Sequence, residues 1–231
     1  FGTESLPGVY KIFGPGNQYV VAAKHYAQRF GVAIDMPAGP SEVLVVADRT
    51  ANPVFAAADL LSQAEHGPDS QVVLVATSKA IAEVVVAEVD KQLQSLPRRD
   101  TIADALTNSF AVVVPDVSTA IEFSNTYAPE HLILNVENPA QYVGSISNAG
   151  SVFVGNYAPE AAGDYASGTN HTLPTAGWAR SCSGVVLESF CKYVSFQVIT
   201  PEGARNLGST VMTMAQAEGL EAHRYAMEVR Q

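Results

Sequence analysis

Two runs, "VLVVA" (43–47) and "VVLVA" (72–76), are apolar at every position. A strand with one wet face alternates apolar and polar residues, so a run without alternation needs cover on both sides. Further Val- and Ile-rich runs fall at 9–13 ("VYKIF"), 110–114 ("FAVVV"), 131–136 ("HLILNV") and 151–155 ("SVFVG"). Short strands of this kind predict a parallel sheet buried between layers of helices.

Helical patterns fill the intervals. Asn52 is a predicted N-cap with Pro53 at the first helical position, and Gly67 is the predicted stop. Residues 77–93 put Ile81, Val84, Val85, Val89 and Leu93 on one stripe, and 116–128 and 138–150 predict shorter helices. Strands alternating with helices give an α/β fold of βαβ units with helices on both faces of the sheet. With 231 residues, 47% of them apolar, the chain can bury one large core or two smaller ones.

Beyond Val154 the pattern changes. "GNYAPEAAGDYASGTNHTLPTAGWAR" has no apolar period and predicts a long loop, of the kind that is ordered for a functional reason. From Pro201 two helices meet near Glu218-Gly219, forming a tail that stands as a small unit or packs on another subunit.

Charge and cysteine usage exclude several classes. A net charge of -10 with no basic stripe argues against nucleic-acid binding, which runs on Lys and Arg contacts to phosphate. No apolar stretch is long enough to span a bilayer, and no signal-like segment is present. Cys182 and Cys191 are too few for a disulfide framework or a Cys-based zinc site, and they suit a reducing compartment.

The candidate chemistry centres on histidines beside polar residues. Gln63 and His66 share a helix face at i,i+3, a spacing open both to a metal and to an ordinary surface pair. Glu130-His131 precedes an apolar strand; the pair either faces one cleft, where carboxylate and imidazole do proton-transfer work, or alternates across the strand. Asp164 and His171 fall in the long loop. Glu218 and His223 are five apart, about 140° around a continuous helix, so a helix start near Gly219 or two separate tasks must be invoked. "GPGNQYVVAAK" (14–24) sets two glycines before a helix, where backbone N–H groups receive phosphate, although it lacks the dinucleotide fingerprint. "DMPAGPSEVLV" (35–45) presents Ser41 just before a strand.

Taken in order and spacing, "FGPGNQYVVAAK", "DMPAGPSEVLV", "DLLSQAEHGPDSQVVL", "NTYAPEHLIL", "AGSVFVG", "GDYASGTNHTLPT" and "AEGLEAH" resemble histidinol dehydrogenase from nearly one end of the chain to the other. The resemblance implies a zinc- and NAD-dependent oxidation of L-histidinol through L-histidinaldehyde to L-histidine, the last step of histidine biosynthesis. It implies Gln63, His66 and Asp164 as zinc ligands, with His223 the fourth, supplied to the neighbouring subunit of a homodimer with shared sites. His131 resembles the general base and Glu130 the residue that activates water. Ser41, His171 and Glu218 match substrate contacts, which the ligand residues and His131 join, and Asn17 matches a cofactor contact. A site of N and O ligands also accepts Mn or Co.

The family carries a substantial portion ahead of the residues matching Phe1. The fold expectation is therefore an incomplete Rossmann-like parallel sheet plus a C-terminal helical tail that packs on a partner subunit. Residues 1–40 would be the remainder of a nucleotide-binding-like domain, 41–195 the Rossmann-like domain with most of the site, and 196–231 a dimerisation segment. The expected compartment is the cytoplasm, or a plastid for a plant or algal source. Two alternatives remain: a related dehydrogenase of another polar alcohol such as a sulfonated diol, and an inactive metal-binding dimerisation fragment.

Overall fold

The computed structural model describes residues 2–231, apart from the side chain of Gln18. Two compact units divide the chain, Phe1–Phe190 and Cys191–Gln231. The first opens with a two-stranded parallel pair, β1 (Lys11–Ile12) and β2 (Ala33–Ile34), joined by α1 (Gln18–Gln28). Asn17 caps α1, its side chain accepting from the Tyr19 and Val20 amides at 3.1 and 3.2 Å. The buried Lys24–Asp35 ion pair fastens this segment, with Lys24 Nζ donating to the Gly14 carbonyl and Asp35 Oδ2 accepting from the Gly14 amide.

The main sheet follows: β3 (Glu42–Ala47), α2 (Pro53–Ala64), β4 (Gln71–Ala76), α3 (Lys79–Leu93), α4 (Arg99–Leu106), β5 (Phe110–Val113), α5 (Val117–Tyr127), β6 (His131–Asn135) and β7 (Ser151–Val154). Its five strands run parallel in the order β5-β4-β3-β6-β7. Order reverses between β3 and β6, the switch point of a doubly wound sheet. Every residue of β3 and β6 is buried. Val43, Val45 and Ala47 pack under α2, α3 and α4, while Leu44 and Val46 pack against α5 on the other face. The absence of alternation in these runs is thus the signature of cover on both sides.

The predicted helices form with local corrections. Asn52 caps α2 by accepting from the Val54 amide at 3.0 Å, with Pro53 as its first residue. On α3, Val84 is exposed and Ala82 is buried with Val85 and Val89. Val84 lies about 100° around the axis from Val85, outside the face that meets α2. Residues 138–150 form a 3-10 turn, Pro139–Ser145, in place of the expected α-helix. The expected long loop contains α6 (Glu160–Tyr165). Its apolar period is hidden because the helix packs through Gly163, where an added Cβ would sit 2.6 Å from the Phe153 ring.

The second unit holds α7 (Pro201–Ala217) and α8 (Glu221–Glu228), separated at Gly219, whose φ of +71° breaks the helix as the sequence implies. Among the described residues no helix is long and apolar enough to cross a membrane.

Candidate active site

A cavity of about 500 Å³ opens at the N-terminal ends of β3 and β6. Ser41, His66, Glu130, His131, Asp164 and His171 all line it. In open parallel sheets ligands generally bind beyond the carboxyl ends of the strands; here the polar residues gather at the opposite edge of the same switch point. The topology explains the convergence. α2 returns from the far edge of the sheet and ends at the Gln63–His66 turn, while β3 and β6 both begin beside it.

His131 opens β6 and is 3% exposed. Its Nδ1 lies 3.1 Å from the Glu42 backbone carbonyl, an acceptor that requires the proton on Nδ1. Nε2 then carries a lone pair; it is buried, has no hydrogen-bond partner among the described residues and stands 4.0 Å from Asp164 Oδ1. Burial drives the ring pKa down to about 4, with Glu42 and Asp164 opposing and His66 adding to the fall, so the imidazole is neutral at pH 7.

Glu130 is held by the same backbone residue, its Oε2 accepting from the Glu42 amide at 2.9 Å. The two peptide groups of Glu42 therefore fix both members of the Glu130-His131 pair, and both line the cavity. Glu42's own carboxylate accepts from the Ala176 amide at 2.9 Å and faces the Tyr127 hydroxyl at 3.2 Å, tying the loop that carries His171 to the start of β3.

Gln63 is fully buried on α2. With its amide nitrogen turned inward, that nitrogen lies 2.8 and 2.9 Å from the two Glu160 carboxylate oxygens and 3.1 Å from His131 Nδ1. Since His131 Nδ1 carries its own proton, the Glu160 oxygens are the acceptors there, and the reverse orientation would set the amide oxygen against them. His66, just past the end of α2, is exposed, and its ligand atom with those of Glu160 and Asp164 all lie within 4.8 Å of one another. Carboxyls crowd here. Burial, then Asp164 and Asp59, push Glu160 up to about 8, and burial pushes Asp59 up to about 7 against a neighbouring Asn135 amide. Glu130 is raised well above its ordinary range by burial and by the charges of Glu42, Glu160 and Asp164.

Sequence reasoning did not find Glu42, Asp59 or Glu160. Asp59 and Gln63, like Glu160 and Asp164, are spaced i,i+4, one helical turn apart, but neither spacing stands out before the helix faces are known. Asn17 and Ser41 line an adjoining cavity of about 540 Å³ that His66 also reaches. Glu218 and His223 belong to the second unit, at the end of α7 and on α8; both are exposed, and His223 lines a cavity formed with Ile199, Ala204 and Met227.

Comparison with known proteins places this site in context. The family described as histidinol dehydrogenase matches residues 1–231. The histidinol dehydrogenase of Bacteroides thetaiotaomicron is 56% identical over 230 residues, covering 100% of this chain and 54% of that protein. The chloroplastic histidinol dehydrogenase of Arabidopsis thaliana is 58% identical over 233 residues, covering 100% of this chain and 50% of its own. The crystal structure of histidinol dehydrogenase from Elizabethkingia anophelis superposes with a TM-score of 0.97 at 58% identity, over 100% of this chain and 53% of that one. The chain spans about half the length of the curated relatives it matches. It belongs to the histidinol dehydrogenase family.

Proposed function

We propose that this chain carries the metal- and substrate-binding part of an enzyme that oxidises L-histidinol through L-histidinaldehyde to L-histidine. One observation carries the reading most: a neutral, buried imidazole on the cavity wall whose free lone pair, on His131 Nε2, stands unpartnered among the described residues 4.0 Å from Asp164 Oδ1. A base held in this tautomer needs no reorganisation before it accepts a proton.

The donor set fits a divalent cation. The Gln63 amide oxygen, the His66 imidazole and the Asp164 carboxylate form an N/O set of the kind that binds zinc and related metals. The buried carboxyls around them, raised in pKa by burial and by one another, are the arrangement that a bound cation returns to the charged state. Zinc bound here would hold and polarise the amino alcohol. Asn17 and the cavity beside it would help to hold NAD, which would supply the hydride acceptor for each oxidation.

The remaining work belongs to the chain. His131 Nε2 takes the hydroxyl proton of the alcohol in the first oxidation and that of the hydrated aldehyde in the second. Glu130 receives a proton from the water that adds to the aldehyde. Ser41 and His171, on the cavity wall, orient the substrate. Glu218 and His223 act on the site of a second copy in a homodimer, Glu218 meeting the substrate and His223 completing the metal's ligands. Residues 1–40 act as the remainder of a nucleotide-binding-like domain.

The test is histidinol-dependent NADH formation by the full-length protein, with His131→Ala beside it. We expect turnover in the parent and a loss of roughly 10²–10⁴-fold in the variant, the range for a positioned base. Equal rates in the two proteins remove His131 from the mechanism, and NADH formed from another polar alcohol but not from histidinol removes the substrate.

A further inference from the structure

We infer that Glu160 is a positioning residue that fixes which end of the Gln63 amide turns toward His66 and Asp164. The inference rests on the proposed metal-ligand role of Gln63 and deepens it. Glutamine is an ambiguous ligand, because its oxygen can bind a cation, its nitrogen cannot, and the two ends are nearly the same size. Something must hold the nitrogen away from the metal.

Glu160 is placed to do so. It is 1% exposed at the first turn of α6, and both of its carboxylate oxygens lie within 2.9 Å of the inward end of the Gln63 amide. With a cation bound beside it Glu160 is charged, and a carboxylate accepts and does not donate, so it admits the nitrogen and rejects the oxygen. His131 Nδ1 cannot serve instead, since its proton is already given to the Glu42 carbonyl. The amide oxygen is thereby left for the side on which His66 and Asp164 present their ligand atoms. Although Glu160's own oxygen comes within 4.8 Å of those atoms, the amide already occupies its carboxylate. Gly163 sets the depth of the contact by letting α6 settle onto Phe153.

The test measures Co²⁺ affinity of the full-length protein by chelator competition, together with the visible absorption of the bound ion. Glu160→Gln keeps the shape but lets the Gln63 amide sit either way round, and we expect affinity to fall by roughly 10–100-fold, the cost of losing a partner that orients a ligand. In a Gln63→Ala background the same change should cost nothing further, because its effect passes through Gln63. The exchange Gln63→Glu with Glu160→Gln restores one carboxylate facing one amide and should recover most of the lost affinity; it also carries the test if Glu160→Gln alone does not fold. A full additional loss in the Gln63→Ala background, with an altered Co²⁺ band, would make Glu160 a direct ligand and overturn the inference. Parent-like affinity in Glu160→Gln, with Gln63→Ala weakened, overturns it alone. Parent-like affinity in both Gln63→Ala and His66→Ala overturns the metal reading beneath it as well.

Discussion

At the leading edge of β3 and β6 the polar groups are buried and held: Glu42, Gln63, Glu130, His131 and Glu160 are each less than 9% exposed, and all are bound to one another or to backbone. The second unit is the reverse. Only Gly208 and Ala215 of α7 are buried and no residue of α8 is, while Phe196 and Val198 are at least 90% exposed and Leu207, Met214, Tyr225 and Val229 are also open. The first region is organised by its own core. The second, at about 40 residues, is at the size where a chain needs outside help to stay folded. Preorganised chemistry therefore sits where the sheet can hold it, and the residues proposed to act on another copy sit where little is held.

Breaking a charge pair in each region should expose the contrast most strongly. Lys24–Asp35 is buried in the first unit, so Lys24→Met leaves a buried carboxylate alone and should cost roughly 3 kcal/mol of stability, read by denaturant unfolding. Burial pushes the Asp35 carboxyl up, but Lys24 and the Gly14 and Met36 amides outweigh it and hold the carboxyl below its ordinary value. A depressed carboxylate stabilises the fold above the unfolded value of 3.8 and loses that contribution as pH falls through the lower folded value. The difference between parent and variant should thus be full at neutral pH and shrink below about pH 4. A difference that grows in acid would contradict the pairing.

A smaller effect should follow in the second unit. His223→Ala should reduce the zinc bound by the assembled protein while the melting of the α/β core stays at the parental temperature; full zinc occupancy would sink the shared-site proposal. The smallest belongs to Arg224, which pairs with Glu221 and Glu228 on the open face of α8. Exposed pairs of this kind contribute little, and Arg224→Ala should leave the melting curve unchanged. A clear drop there would show that α8 is covered more closely than the isolated chain suggests.

Much of this contrast is legible in the sequence. The continuous apolar runs announce the buried sheet, and Asn52-Pro53 announces the start of α2. Histidine contexts single out His66, His131 and His171, which the fold does bring to one cavity. Glu160 is illegible for a physical reason. Its helix packs through a glycine, so no apolar period marks it, and its importance arises from meeting Gln63 across nearly a hundred residues of chain. Glu42 is hidden differently, since it holds the Glu130-His131 pair with backbone groups that every residue possesses.

The proposed proton transfer depends on one tautomer of His131. Long-range ¹H–¹⁵N correlation on histidine-labelled, metal-free protein, with His131 assigned by substitution, reads both ring nitrogens directly. We predict a proton on Nδ1 and none on Nε2, unchanged from pH 8 down to pH 5, because burial holds the ring pKa near 4. A protonated Nε2 at neutral pH, or a ring that takes up charge near pH 6.5, would contradict it.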